Sequence, residues 1–245
     1  MHRFFLDPQN FTPTDVHFDE ATARQIAQVL RLRPGDTVTC LDNRGGAWLV
    51  ELADVTAKAC LGKIKQPVTL DSEPMAQVTL YLCLAQREKF EWMLQKCTEV
   101  GAAAFVPVIS SRSLVQEKQG VEQKRERWEA ILKEAAEQSG RGRIPRLEAA
   151  LNFKEALAAL HTHDLALAAW EEEHSIGLRT LLRGRPLRSV ALLIGPEGGF
   201  SSEEMEAARA VGAVPISLGR RILRMETAAV VATVLVLHEL GEMDV

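Results

Sequence analysis

The stretch Val190 to Glu239, VALLIGPEGGFSSEEMEAARAVGAVPISLGRRILRMETAAVVATVLVLHE, constrains this chain more than any other. Val190 to Ile194 is an apolar run with the length and composition of a buried strand. Gly195-Pro196-Glu197-Gly198-Gly199 then interrupts regular structure. Ser201, with Glu204 three residues on, makes a capping box that starts a helix, and Gly212 ends it. Val214 to Leu218 predicts a second strand, running into Gly219-Arg220-Arg221. A final helix, from about Met225 to Leu240, is apolar on nearly every face. Two strands therefore deliver two loops, with glycine where backbone must come close to something. In an open α/β sheet, ligands bind at the carboxyl ends of strands.

The rest of the chain supports such a sheet. After residue 74, apolar strands at Val78–Leu84, Phe105–Ile109 and Leu165–Ala169 alternate with helical stretches. These are Lys89–Val100, closed by Gly101, then Val121–Ser139, and one capped by Asn152 and Glu155 that runs to Leu160. A short helix follows Ala169. On the longest, Trp128, Ile131, Leu132 and Ala135 share one face. Alternation of this kind predicts a mainly parallel sheet with helices on both faces. The first seventy residues differ. Phe4-Phe5-Leu6 opens, a short helix spans about Glu20 to Leu30, and Arg33-Pro34-Gly35-Asp36 and Asn43-Arg44-Gly45-Gly46 are turns. Thr37–Leu41, Ala47–Leu52 and Ala57–Lys65 are expected as strands of a small barrel or sandwich. Gln66 to Pro74, with Pro67, Asp71, Ser72, Glu73 and Pro74, has the composition of a linker. The expected domains are thus 1–70 and 74–245.

Charge narrows the function classes. A formal net charge of -4 excludes indiscriminate coating of nucleic acid. Basic segments nevertheless occur: Arg112 to Arg146 carries nine Lys and Arg against six Glu, and Arg179 to Arg188 carries four Arg and no acid. Arg220, Arg221 and Arg224 cluster in the second glycine loop. Such a distribution suits contact with phosphates at a defined site. Cys40, Cys60, Cys83 and Cys97 lack metal-ligand spacing and are expected as buried reduced thiols, with no metal. His161, His163 and His174 also lack such spacing and are expected at the surface. No apolar run is long enough to span a bilayer and no signal core opens the chain, so no membrane is expected and the location is cytoplasmic.

The first glycine loop fails the tests for a phosphate cradle. It is not Gly-x-Gly-x-x-Gly, no Gly-Lys-Ser/Thr follows, Pro196 lacks an N–H, and Glu197 puts negative charge where a pyrophosphate would lie. A ligand with a cationic or neutral centre fits better.

GPEGGFS-x-x-E followed by LGRRILRMETA and an apolar terminal helix resembles the paired cofactor motifs of SPOUT methyltransferases. Together with HRFFLD, QVLRLRPGD, KFEWMLQKCTEVGAAAFVPVISSRS and AAEQSGR, which match in order, it most closely resembles the RsmE family. That family methylates N3 of a uridine in 16S (small-subunit) ribosomal RNA. The resemblance implies an α/β fold: an N-terminal PUA-like β-barrel that binds RNA and a C-terminal SPOUT domain with a parallel sheet and a deep trefoil knot. It implies a homodimer acting on 16S rRNA with S-adenosyl-L-methionine as cofactor; an assembled small ribosomal subunit is the expected form of the substrate, with free rRNA left open. The cofactor wall carried over is Trp170, Ile194, Gly195, Glu197, Gly198 and Gly199 from one side. Leu218, Gly219, Ile222, Leu223, Arg224, Thr227 and Ala228 form the other.

Methylating N3 requires removal of its proton, by a general base or with help from cations beside the flanking carbonyls. Arg224 and Arg221 could supply charge, Arg141 and Gln138 could reach in from the long helix, and Glu226 or Glu197 could take the proton. Arg112, Arg143 and Arg146 flank loops suited to RNA phosphates. Two other functions stay open: a ribose 2'-O methyltransferase, which would carry Ser-Glu-Gly and Asn-x-Ser in the two loops, and a non-catalytic RNA-binding assembly factor.

Overall fold

Phe4-Phe5-Leu6 does open a strand, β1 (Arg3–Phe5), although it pairs in parallel with β3 (Thr37–Leu41) rather than starting a meander. The computed structural model describes residues 1–113, 116, 118–174 and 177–244, and the chain separates into two units. In the first, β2 (Asp15–Phe18), α1 (Glu20–Arg24), β4 (Ala47–Val55) and β5 (Cys60–Pro67) complete a five-stranded sheet of order β1-β3-β4-β5-β2. The three strands expected here are thus joined by two more. β2 alternates over only four residues, Val16 and Phe18 buried and His17 exposed, directly after Thr12-Pro13-Thr14, which masks its period. Asp19 caps α1 by accepting from the Thr22 N–H at 2.8 Å. Phe4, Val16, Phe18, Ile26, Val38, Val50 and Leu52 form the core.

This unit comprises Met1–Glu73 together with Ala136–Ile144, the latter a segment that the sequence puts with the domain starting at 74. Its incorporation has identifiable causes. Ala136 is buried with Phe5, Leu41 and Ala47, and Val68, Leu70 and Ile144 pack against them, so the expected linker contributes two core side chains. The Phe5 N–H donates to Glu137 Oε1 at 2.9 Å, and the Ile144 N–H to Asn43 Oδ1 at 2.8 Å. Glu73 anchors the turn: one carboxylate oxygen accepts from Arg141 Nη2 at 2.6 Å, the other from Arg141 Nε at 3.2 Å and the Gly142 N–H at 2.9 Å.

The second unit holds the larger sheet. Its elements are β6 (Gln77–Cys83), α2 (Arg87–Glu99), β7 (Ala104–Ile109), α3 (Lys118–Glu122) and α4 (Arg125–Ser139, to Ala135 in this unit), then β8 (Arg146–Leu147), β9 (Leu151–Asn152) and α5 (Phe153–Leu160). They continue with β10 (Leu165–Ala169), α6 (Leu178–Leu182), β11 (Ser189–Ile194), α7 (Ser202–Ala210), β12 (Val214–Ile216) and α8 (Met225–Glu239). The strand order is β12-β10-β11-β6-β7-β8, with β9 also on β7, and every pairing is parallel. The expected helix over 121–139 is two helices: the Lys124 N–H returns to the Val121 carbonyl, and Arg125 starts α4 while its guanidinium bonds the Leu147 carbonyl.

Side-chain alternation distributes the core. Tyr81, Cys83, Val106, Val108, Ala191 and Leu193 meet Leu157 and Leu160 of α5 and Met205 and Ala208 of α7. The opposite set, including Leu80, Leu82 and Leu192, is fully buried, and α8 packs on β6 and β11 and against α2. All four cysteines are buried free thiols, and burial pushes Cys83 and Cys97 up to about 12. Among the described residues no helix is long and apolar enough to cross a membrane, and no cluster could hold a metal ion.

The Glu73–Arg141 tie makes a pH prediction. Burial alone would raise the Glu73 pKa, but the Arg141 hydrogen bonds and charge and the Gly142 and Arg143 N–H groups hold it below its ordinary 4.5. A carboxylate depressed in the folded state stabilises fully above its unfolded value, and that stability is lost as pH falls through the folded value. Glu73→Ala is expected to cost about 3 kcal/mol at neutral pH in chemical denaturation, because it removes the carboxylate from a buried guanidinium. The gap between wild type and Glu73→Gln should close as pH drops below 4.5.

Candidate functional site

The second unit has two adjoining cavities beyond the carboxyl ends of β10, β11 and β12. The first, about 310 Å³, is lined by Ile194, Gly195, Glu197 and Gly199 from the first glycine loop, and by Ile222, Leu223, Arg224, Glu226 and Ala228 from the second loop and α8. The second, about 430 Å³, is lined by Trp170, Leu218, Gly219 and Arg221, again with Ile222, Leu223 and Ala228. The two loops therefore wall neighbouring spaces. Of the expected cofactor wall, Gly198 and Thr227 line neither cavity. The Gly198 carbonyl instead accepts from Arg112 Nη1 at 2.6 Å, and Thr227 is exposed in the first turn of α8.

Strand geometry and capping set these positions. β11 delivers the chain at Ile194, and the Gly199 N–H folds back to the Pro196 carbonyl at 2.9 Å, with Gly199 at φ +66°. The capping box at Ser201 forms, and its Glu204 does double duty: Oε2 accepts from the Ser201 N–H at 3.0 Å and Oε1 from the Ser111 N–H at 2.8 Å. The turn after β7 is thereby joined to the start of α7. At the second loop, Gly219 has φ +108°, a conformation that a side chain disfavours, and open space where its Cβ would stand. Arg224 precedes α8 without a side-chain capping bond, so first-turn N–H groups stay available.

The polar groups fall into two kinds. Glu197 is satisfied: Oε1 accepts from the Gln86 N–H at 3.2 Å and from Lys89 Nζ at 3.3 Å. Burial works to raise its pKa, but the Gln86 N–H, its own backbone and Lys89 outweigh this and keep it below the usual carboxylate range. Glu197 thus orders the loop at the start of α2. Glu226 is the opposite case. Its Oε2 is buried at the first cavity without a hydrogen-bond partner among the described residues, as is Trp170 Nε1 at the second. Arg209 lies 5.1 Å over the Trp170 ring and reaches Glu173 at 3.7 Å. Arg221 and Arg224 are exposed and make no ion pair among the described residues.

The remaining expected site residues are not among those that line the two cavities. Arg141 is buried in the first unit with Glu73, and Gln138 is exposed on the last turn of α4. Arg143 is exposed, as is Arg146, which pairs with Glu148 at 3.1 Å. His161 and His174 are exposed, but His163 is a correction. It is half-buried edge-on to Tyr81, with Nε2 3.2 Å from the phenol oxygen, because the turn into β10 folds it over β6; burial lowers its pKa. Glu171, which lines both cavities, was missed; its place just past the end of β10 was the available signal.

Comparison with known proteins agrees with the geometry. Residues 71–237 match the sequence model of an RNA methyltransferase domain, and residues 18–65 that of an RNA methyltransferase PUA domain. Ribosomal RNA small subunit methyltransferase E of Synechocystis is 36% identical over 235 residues, covering 94% of this chain and 75% of the relative. The Bacillus subtilis protein of the same name is 34% identical, covering 84% and 83%. The crystal structure of ribosomal RNA small subunit methyltransferase E from Neisseria gonorrhoeae bound to S-adenosyl methionine superposes with a TM-score of 0.88 at 29% identity, covering 97% of each chain.

The backbone at Gly219 can be tested alone. Gly219→Val forces a β-branched residue into positive φ and is expected to cost about 1–3 kcal/mol in chemical denaturation. Gly219→Ala, which adds only the Cβ in open space, should cost less than Gly219→Val, since the strain of the positive φ remains but the β-branch does not.

Proposed function

We propose a function from the premise that this chain belongs to the RNA methyltransferase family that includes ribosomal RNA small subunit methyltransferase E. It transfers a methyl group from S-adenosylmethionine to N3 of a uridine in 16S ribosomal RNA. The observation that carries this reading is the buried, unpartnered Glu226 Oε2 where two glycine loops converge.

The residues present fit the donor. Ile194, Leu218, Ile222, Leu223 and Ala228 offer apolar walls for an aromatic base, and Gly195, Gly199 and Gly219 expose backbone to it. Trp170 Nε1 is a donor without a partner among the described residues and is available to the cofactor, whereas Glu226 Oε2, an acceptor likewise without one, is kept for the uracil. When bound, S-adenosylmethionine supplies an electrophilic methyl group on a cationic sulfur. The chain aligns the uracil with that methyl and excludes water, which is chiefly proximity catalysis. Glu226 accepts the N3 proton, while Arg224 and Arg221 stabilise the negative charge that spreads onto the flanking carbonyl oxygens. Glu197 has no part in the proton transfer, since Lys89 and the Gln86 N–H already engage it. Arg112, Arg143 and Arg146 contact RNA phosphates, and Arg141 holds the turn that Glu73 anchors. Base rather than ribose methylation follows from Arg224-Met225-Glu226-Thr227 standing where Asn-x-Ser is expected.

The same reading includes the trefoil knot, a cytoplasmic location and a homodimer acting on an assembled small subunit. Val230, Val231, Val234 and Leu235, only half-buried on α8, favour the dimer. Incubation with methyl-labelled donor and small-subunit particles or bare rRNA, then digestion to nucleosides, should put the label on the uracil base. Ribose label or no label overturns the reading. Glu226→Gln should lower kcat about 100-fold while donor affinity, by calorimetry, stays within about threefold; unchanged kcat removes Glu226 from proton transfer.

A further inference from the structure

Glu171 is the one charged residue that lines both cavities among the described residues. β10 ends at Ala169, and the Trp170 N–H still bonds the Ile216 carbonyl at 3.2 Å, so Glu171 stands just where the chain leaves the sheet. Its exposed carboxylate reaches over Gly199, a position that the φ of +66° already reserves for glycine. Gly199 makes no bond to it in return, because its N–H is given to the Pro196 carbonyl.

Among the described residues no cation stands within ion-pair distance of this carboxylate, although Arg224 lines the first cavity and Arg220 and Arg221 line the second. In the first cavity Lys89 is paired with Glu197 at 3.3 Å. Near the second, Arg209 is engaged with Trp170 and Glu173. Glu171 itself makes no hydrogen bond or ion pair among the described residues. An acceptor-only group held over the junction of two cavities is complementary to a cation bridging them.

We propose that Glu171 is a specificity-determining residue that recognises the sulfonium charge of the methyl donor and so favours donor over product. The proposal rests on the donor reading above. S-adenosylmethionine and S-adenosylhomocysteine share the adenosine and the amino-acid end; they differ in the methyl group and in the positive charge on sulfur. A carboxylate directed at that charge strengthens binding of the first compound and not of the second. It thereby helps the spent cofactor leave after transfer.

Isothermal titration of wild type, Glu171→Gln and Glu171→Asp with each compound tests this. Glu171→Gln should weaken S-adenosylmethionine about tenfold and S-adenosylhomocysteine less than about twofold, consistent with loss of one partly screened charge pair. Glu171→Asp, which keeps the charge, should recover part of the difference. Equal weakening of both compounds would mean that the carboxylate holds a group common to them, and no change in either would mean that it holds nothing; each overturns the proposal while leaving the donor reading intact. Wild-type protein that binds neither compound overturns the donor reading and this proposal with it.

Discussion

A parallel strand buried on both faces spends its backbone groups on its two neighbours and offers polar chemistry only at its ends. β11 is such a strand. It is paired along its length with β10 on one side and β6 on the other, and Val190 to Ile194 are all buried. Everything that can meet a ligand is therefore displaced beyond Ile194, Ala169 and Ile216, onto loops whose starting points the sheet fixes. α8 closes the arrangement by packing on β6 and β11, which brings Arg224 and Glu226 back beside the first loop.

Two sorts of carboxylate then divide the work. Glu197 and Glu204 are satisfied by backbone N–H groups, and Glu73 adds Arg141. Each fixes a loop, and for Glu197 and Glu73 the lowered pKa expresses that commitment. Glu226, buried at Oε2, and Glu171, exposed to solvent, stand at the cavities without such partners among the described residues, and only the first bears the cost of burial. An unpaired buried acceptor is costly. That cost is intelligible at a place where a ligand completes the bond.

Much of this was legible in the residues. Ser201 with Glu204 marked the start of α7, Asn152 with Glu155 that of α5, and both capping boxes form. The apolar runs gave β6, β7, β10 and β11 to within a residue or two, and the alternation of strand and helix gave the parallel sheet. Most of the expected pocket wall meets at two adjoining cavities. What escaped was information carried by tertiary contact. β2 is too short to display its period, and residues 136–144 belong with the first unit through Glu73 and Leu70, partners far away in sequence. His163 is drawn inward by Tyr81 for the same reason. Nothing local to AAEQSGR announces that Glu73 engages Arg141. Glu171 has no motif at all; its significance depends on where a strand ends.

The proposed function requires that both glycine loops wall one methyl-donor site spanning the two adjoining cavities. Amide hydrogen exchange, followed by mass spectrometry with and without saturating S-adenosylmethionine, tests it most directly. Slowed exchange is expected in both residues 195–200 and residues 217–228, with the strands of the first unit unaffected. Protection confined to one loop, or absent from both, would contradict it.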